Sequence, residues 1–260
     1  MIFDSHAHYD DEAFDEDRES LLDSMESRGI EYIVNVGTDL AGNKETLGMI
    51  KRFPLVYGAL GFHPNNVDKI TEEDFEWVKK RVFTPKIVAI GEIGLDYYWC
   101  KNDQGKSNQK EWFEKQIELA KESELPMSIH SRDAAADTLE ILKSHKAGDI
   151  GGVIHCFSYG TDMAKEFLNM GLYIGIGGVI TFKNSKKLKE VVAYMPLEKM
   201  VIETDCPYMS PEPNRGQRNT SLNLTYVVNE IANIKGIKPR EVISATSKNA
   251  KKLFEINQLE

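Results

Sequence analysis

Short β-branched runs recur along the chain between stretches whose apolar residues repeat at helical spacing, the pattern of parallel βα units. Eight such runs lie near residues 2–5, 32–36, 56–60, 87–90, 126–129, 152–154, 172–176 and 200–202. Between them fall amphipathic stretches carried by Phe75, Val78 and Val82, by Phe113, Ile117 and Ala120, by Leu188, Val191, Val192 and Met195, and by Leu224, Val227, Val228 and Ile231. Eight strands alternating with helices in 260 residues suit a closed parallel barrel, whereas an open doubly wound sheet usually needs only about five to seven. The fold expected is a single (β/α)8 TIM barrel spanning residues 1–260, because no linker, low-complexity segment or glycine-rich phosphate fingerprint interrupts the series. Two segments are longer than connections need to be, 100–108 after the fourth run and 206–223 after the eighth. Both follow strand C-termini, where the loops of such a barrel converge and its chemistry is placed.

Composition narrows the class. Hydrophobic residues make up 41% of the chain and charged residues 28%, the balance of a globular protein. The longest apolar runs, such as 171–176, fall far short of the roughly 18 residues of a membrane span. No basic region precedes an apolar stretch at the start, so a cytoplasmic setting without a membrane partner is expected. Cys100, Cys156 and Cys206 form no CxxC pair and read as reduced thiols. A net charge of −9 opposes a broad electrostatic grip on nucleic acid. Much of that acid is local, running from Asp10 to Glu19 at one helix start, where carboxylates favour the helix dipole.

Candidate chemistry begins with His6-Ala7-His8, which ends the first run with both imidazoles on one strand face, within reach of one ion. Glu92 closes the fourth run, His130 the fifth, His155 the sixth and Asp205 the eighth, so six potential ligands stand at strand ends that a barrel draws together. A lone HxH is more often a satisfied surface or core pair than a ligand pair. Helix capping explains Asp205 by itself, but it explains four histidines badly, since buried imidazoles without partners cost stability. Metal accounts for all six jointly. Six ligands exceed the need of one tetrahedral zinc, so the cofactors expected are two divalent metal ions, Mg, Mn or Zn, with Glu92 as the bridge.

Longer motifs surround these residues: Asp4-Ser5-His6-Ala7-His8-Tyr9-Asp10, Gly61-Phe62-His63-Pro64, Gly91-Glu92-Ile93-Gly94-Leu95-Asp96-Tyr97-Tyr98, Ile129-His130-Ser131-Arg132-Asp133-Ala134, His155-Cys156-Phe157-Ser158 and Glu203-Thr204-Asp205-Cys206-Pro207-Tyr208. Asn214-Arg215-Gly216-Gln217-Arg218-Asn219 and a final segment from Thr246 to Phe254 complete the set. In this succession the chain resembles, end to end, the TatD family of metal-dependent deoxyribonucleases, part of the amidohydrolase-like barrel superfamily. The resemblance implies that His6, His8 and Asp205 hold one ion and His130 and His155 the other, with Glu92 between. It also implies hydrolysis of phosphodiester bonds by in-line attack of water on phosphorus, with Asp205 placed to orient or deprotonate that water. One departure is Tyr159, which precedes Gly160 where many relatives carry Gly directly after His-Cys-Phe-Ser.

Neighbouring residues fill in the expected site. His63 is expected to hydrogen-bond the scissile phosphate without ligating metal, which makes Glu92, Asp205 and His63 the catalytic set. Arg132, Arg215 and Arg218 lie in loops of the catalytic face as substrate-binding candidates, able to clamp phosphate bidentately, the alternative being solvated loop arginines. By strand alternation Asp4 and Glu203 belong one layer below the ligands, orienting metal-bound imidazoles. Tyr97, Tyr98 and Trp99 follow Glu92 in a loop where a ring can stack on a nucleobase or merely pack. The expected partner is DNA, as a single strand or an end cut by an exonuclease, with no obligate protein partner. A positive rim of Lys101, Lys106, Arg132, Lys183, Arg215 and Arg218 would offset the acidic surface. The competing reading is a metal-dependent hydrolase of a small amide, lactone or ester, or of an aminoacyl-tRNA-type ester. Many superfamily members of that kind use a carbamylated lysine at the metal, whereas this chain offers Glu92 and no Lys at the ends of the fourth and fifth runs.

Overall fold

Eight parallel strands, paired in sequence order and alternating with helices, form a barrel in this computed structural model, which describes residues 1–256. The strands are β1 (Ile2–Ala7), β2 (Ile30–Val36), β3 (Val56–Leu60), β4 (Ile87–Asp96), β5 (Met127–Arg132), β6 (Gly152–Ile154), β7 (Tyr173–Ile176) and β8 (Met200–Ile202). The helices are α1 (Arg18–Ser24), α2 (Leu40–Arg52), α3 (Glu72–Lys79), α4 (Asp103–Ser123), α5 (Ala135–Ser144), α6 (Thr161–Asn169), α7 (Lys186–Tyr194), α8 (Leu224–Lys235) and α9 (Pro239–Leu253). Among the described residues no helix is long and apolar enough to cross a membrane.

Between β8 and β1 the ring closes through a single parallel bridge, Ala7 to Cys206. The Asp205 N–H donates to the His6 carbonyl at 2.9 Å, and the His8 N–H donates to that of Cys206 at 2.8 Å. The closure therefore sets His6, His8 and Asp205 in register with one another. Side chains such as Ile33, Ile90, Ile129 and Ile174 share a core with Phe113, Ile117, Phe167 and Val227 from the helices, each such burial stabilising by about 1.5–3 kcal/mol. A second cluster gathers Phe3, Val34, Val88, Val153 and Val201 with Leu253 and Phe254 at the end of α9. Phe254 stacks on Phe3 with centroids 6.0 Å apart. Helix α9 thus plugs the end where the strands begin and leaves the opposite mouth for chemistry.

Local chemistry starts the helices where the loops leave that mouth. The Asp39 carboxylate accepts from the Gly42 N–H at 2.8 Å at the head of α2, and Asn102 Oδ1 accepts from the Gly105 N–H at 2.7 Å at the head of α4. Thr71 and Asp74 form a capping box at α3. Strands β4 and β5 extend beyond their hydrophobic runs, to Asp96 and Arg132, so Glu92 and His130 lie within strands rather than after them. This extension depends on Gly94, at φ +141°, where a side chain would collide with the His130 carbonyl.

Candidate metal centre

Six side chains from or just beyond β1, β4, β5, β6 and β8 meet at the mouth around Glu92, which is 3% exposed. Glu92 Oε1 lies 2.8 Å from both His130 Nδ1 and His155 Nε2. Its Oε2 lies 3.4 Å from His6 Nε2 and 3.5 Å from His8 Nε2. Asp205 Oδ1 stands 3.3 Å from His8 Nε2 and 3.8 Å from His6 Nε2. One carboxylate thus divides its oxygens between a His6, His8 and Asp205 group and a His130 and His155 group. All of them but His6 line a cavity of about 250 Å³, which also touches His63, Asp10, Asp11 and Tyr208.

Hydrogen bonds behind the rings decide what the inward nitrogens present. His8 Nδ1 sits 2.8 Å from the Val36 carbonyl oxygen, which only accepts, so Nδ1 carries the proton of the neutral ring and Nε2 its lone pair. His130 Nε2 donates to the Asp96 carboxylate at 3.3 Å, which in the neutral ring leaves Nδ1 bare. His6 Nδ1 is held by Ser128 Oγ at 2.9 Å. Yet the Nε2 atoms of His6 and His8 are 3.1 Å apart, as are His130 Nδ1 and His155 Nε2. Lone pairs crowded against each other and against a carboxylate repel unless a cation lies among them, so the donor set fits divalent metal.

The electrostatics agree. Burial lowers His8, but Asp205 and Glu92 outweigh it and push the ring up to about 9. Burial likewise opposes charge on His155, which Glu92 and Glu203 raise well above the usual imidazole range. Glu92 is pushed up by burial and pulled further down by His155, His63 and the bonds from His130 and His155, ending well below the ordinary carboxylate range. The pocket attracts positive charge.

His63 behaves differently from the other rings. The Asn65 N–H donates to its Nδ1 at 3.1 Å, so the neutral ring carries its proton on Nε2, 3.5 Å from Glu92 Oε1. Burial holds that ring neutral, lowered to about 3. It therefore offers a hydrogen-bond donor to the cavity, while its other tautomer would complete a third ligand group with Glu92 and His130.

Glu203 lies where alternation puts it, with Oε1 3.7 Å from His155 Nδ1 and accepting from the Cys156 N–H. Asp4 departs from expectation. Its Oδ1 accepts from the Thr204 N–H at 3.0 Å, and its Oδ2 accepts from the hydroxyls of Thr204 and Ser221 at 2.7 Å each. The reason is a register shift between Asp4 and Ala7 in the pairing with β2, which breaks simple alternation. Asp4 braces the closure backbone, and Ser5 reaches Glu203 instead, at 3.4 Å.

The arginines lie outside the lining of the cavity. Arg132 stacks on Tyr98 with its guanidinium 3.8 Å from the ring centroid. Arg215 is half-exposed over Phe182 at 4.2 Å. Arg218 is engaged: its two terminal nitrogens donate to both Asp17 oxygens at 2.7 and 2.6 Å, and it lies over Phe14. Of the expected rim, Lys101, Lys106 and Arg132 gather around Tyr97 and Tyr98.

Sequence reasoning assigned no role to Asp96 or Ser128, which orient His130 and His6. The signal was available, because Asp96 follows Glu92 by four residues and Ser128 precedes His130 by two, both at strand period. The Val36 carbonyl carries no side-chain signal at all.

A parallel eight-stranded barrel whose C-terminal mouth gathers buried His, Glu and Asp has the architecture and donor set of a metal-dependent hydrolase. Within that class, the family model for TatD related DNase matches residues 3–255, and the chain belongs to this family. It is 44% identical to the metal-dependent hydrolase YabD of Bacillus subtilis over 257 residues, covering 99% of this chain and 100% of that protein. It is 34% identical to the metal-dependent hydrolase YcfH of Escherichia coli K12, covering 99% of this chain and 97% of that one. The crystal structure of YjjV, a TatD homologue from Escherichia coli K12, superposes with a TM-score of 0.91 at 29% identity, over 98% of each chain.

Proposed function

We propose that this protein hydrolyses phosphodiester bonds of DNA, as an exonuclease on single strands or frayed ends, with two divalent ions held by His6, His8, Glu92, His130, His155 and Asp205. The observation that carries the reading is the division of the Glu92 oxygens between two ligand groups, 2.8 Å from one and 3.4–3.5 Å from the other. Divalent ions there would supply a nucleophile at neutral pH and offset charge on phosphate oxygens. The chain's own part follows from its geometry. Glu92 spans the two groups. Asp205, 15% exposed at its side chain, reaches the cavity from the β8 side and serves as the proton acceptor for water. His63 donates its Nε2 proton toward a phosphate oxygen. Tyr208, whose hydroxyl donates to Asp11 at 2.7 Å, lines the same cavity.

The test is nucleotide release from single-stranded and duplex DNA by metal-stripped protein resupplied with magnesium, manganese or zinc, with Glu92→Ala as the control for contaminating nuclease. Metal-restored release that vanishes in the control supports the reading. Equal inactivity of both proteins, with ions still bound by the wild type, rejects it. One observation favours a second reading: Asp10 and Asp11 line the cavity, whereas Arg132, Arg215 and Arg218 do not. A small amide, lactone or ester, or an aminoacyl ester, would meet less repulsion there than a polyanion does, and these are the substrates to screen if DNA fails.

A further inference from the structure

Beside the metal centre lies a second cavity of about 370 Å³, lined by residues that include Pro64, Asn65, Asp68, Trp99, Asn102 and Gln109. Residues 63–66 are the wall between the two: His63 and Asn66 line the central cavity, Pro64 and Asn65 the second. Trp99 is 68% exposed and touches Tyr98 edge-on at 4.9 Å. An indole that open at the edge of a polar cleft is an uncovered stacking surface. Gln109 makes a fixed floor, since its amide accepts from the Asp96 N–H at 2.9 Å and donates to the Asp96 carbonyl at 3.3 Å.

The remaining lining side chains keep polar atoms uncommitted among the described residues. Asn65 donates its amide to Asp96 Oδ2 at 3.2 Å, which leaves its oxygen. Asn102 uses its oxygen to cap α4, which leaves its NH2. Asp68 accepts from Asn108 through Oδ1 only, which leaves Oδ2. An aromatic face with separate donor and acceptor edges is the chemistry that recognises a nucleobase, by stacking and by in-plane hydrogen bonds. The same loop collects cations, for Lys101, Lys106 and Arg132 all lie over Tyr97 or Tyr98, and a strand whose base entered this cleft would pass its phosphates near them.

We propose that this cavity is a base subsite for the nucleotide adjoining the bond that is cut, with Trp99 as its stacking platform. The proposal rests on the phosphodiesterase reading above. It also ties recognition to chemistry, because Asn65 bonds Asp96 and Asp96 bonds His130 at 3.3 Å. A base that engages Asn65 therefore contacts the hydrogen-bond partner of Asp96, the group behind a candidate metal ligand.

The experiment compares wild type, Trp99→Phe and Trp99→Ala, all metal-reconstituted, on a short single-stranded DNA and on the same strand with abasic nucleotides at both ends. Trp99→Ala raises KM for the ordinary strand about 5- to 150-fold, the range of one lost base stack, with kcat nearly unchanged. Trp99→Phe retains most of the affinity, and neither variant differs from wild type on the abasic strand. A Trp99→Ala protein matching wild type on ordinary DNA, or losing equally on both strands, overturns the proposal. If wild type cleaves neither strand, the phosphodiesterase reading fails by itself, and tryptophan fluorescence decides the subsite. Deoxyadenosine monophosphate must then quench saturably in wild type and not in Trp99→Phe, and deoxyribose 5-phosphate must give no quench. No quench by the nucleotide, or an equal one by the sugar phosphate, overturns the subsite.

Discussion

Replacing Asp96 by asparagine exchanges one oxygen for an NH2, and the structure dictates where that NH2 goes. Asp96 Oδ1 accepts from the backbone N–H groups of Tyr98 and Trp99 at 2.9 and 3.1 Å, and these can only donate, so the asparagine oxygen must take that position. The NH2 then occupies the place of Oδ2, facing Asn65 Nδ2 at 3.2 Å and His130 Nε2 at 3.3 Å. Asn65 can flip its amide. His130 can escape two opposed donors only by moving its proton to Nδ1, where it bonds Glu92 Oε1 at 2.8 Å. That tautomer removes the lone pair His130 would offer an ion. The native carboxylate is ionised in use: burial raises it, but donors from His130, Trp99 and Asn65 outweigh burial and hold it at about 2. A hydrogen bond to a charged partner contributes about 1.5–3 kcal/mol, so Asp96→Asn should weaken metal retention and hydrolysis by about 10- to 100-fold, the scale seen when orienting groups behind metal ligands are changed. Metal content at buffered free zinc or manganese gives the affinity, and ring-nitrogen chemical shifts of His130 give the tautomer. An asparagine variant with wild-type affinity, or with Nδ1 still bare, refutes the reasoning.

Other perturbations probe separate parts of the structure. Gly94→Ala forces a Cβ into the His130 carbonyl at a φ of +141°. A cost of about 3 kcal/mol lowers Tm by about 6–12 °C in a chain of this size, and calorimetry showing a drop under 2 °C contradicts the strand-approach argument. Arg132→Ala should weaken DNA binding and reduce the salt-dependence slope by about one, whereas Arg218→Ala, whose guanidinium is already held by Asp17, should leave both unchanged; identical effects from the two in salt-dependent binding titrations would discard that distinction. Asp4 is raised by burial to about 7 despite the donors from Ser221 and Thr204. A carboxyl raised above its unfolded value holds its proton more tightly when folded, so its stabilising contribution is full below about pH 4 and is lost as pH rises through 7. Asp4→Asn imitates the protonated form, its NH2 meeting two hydroxyls that can turn to accept, so the variant's Tm should fall less than that of wild type between pH 5 and 8 in metal-stripped protein. Parallel pH profiles would dismiss the assignment.

The alternation of β-branched runs with amphipathic stretches was enough to read a barrel, because parallel βα units need buried strands and one-sided helices in strict succession. It was also enough to nominate His6, His8, Glu92, His130, His155 and Asp205, since ligands at strand ends are marked by residue type and position. Local pattern does not carry contacts made across the ring. Alternation misplaced Asp4, because a register shift is decided by how β1 meets β2 and not by β1 alone. Arg218 looked like a phosphate clamp until folding set Asp17 against it across some 200 residues of chain. The tautomers of His8, His130 and His63 depend on a Val36 carbonyl, an Asp96 carboxylate and an Asn65 N–H, and a backbone donor or acceptor is the same atom at every position in a sequence. The sequence by itself therefore determined which elements form and which side chains are candidates for chemistry, through periodicity and residue type. Only the tertiary structure decided which nitrogen faces the cavity, which oxygen of Glu92 serves which group, and which arginines stay free, because those are consequences of three-dimensional neighbours.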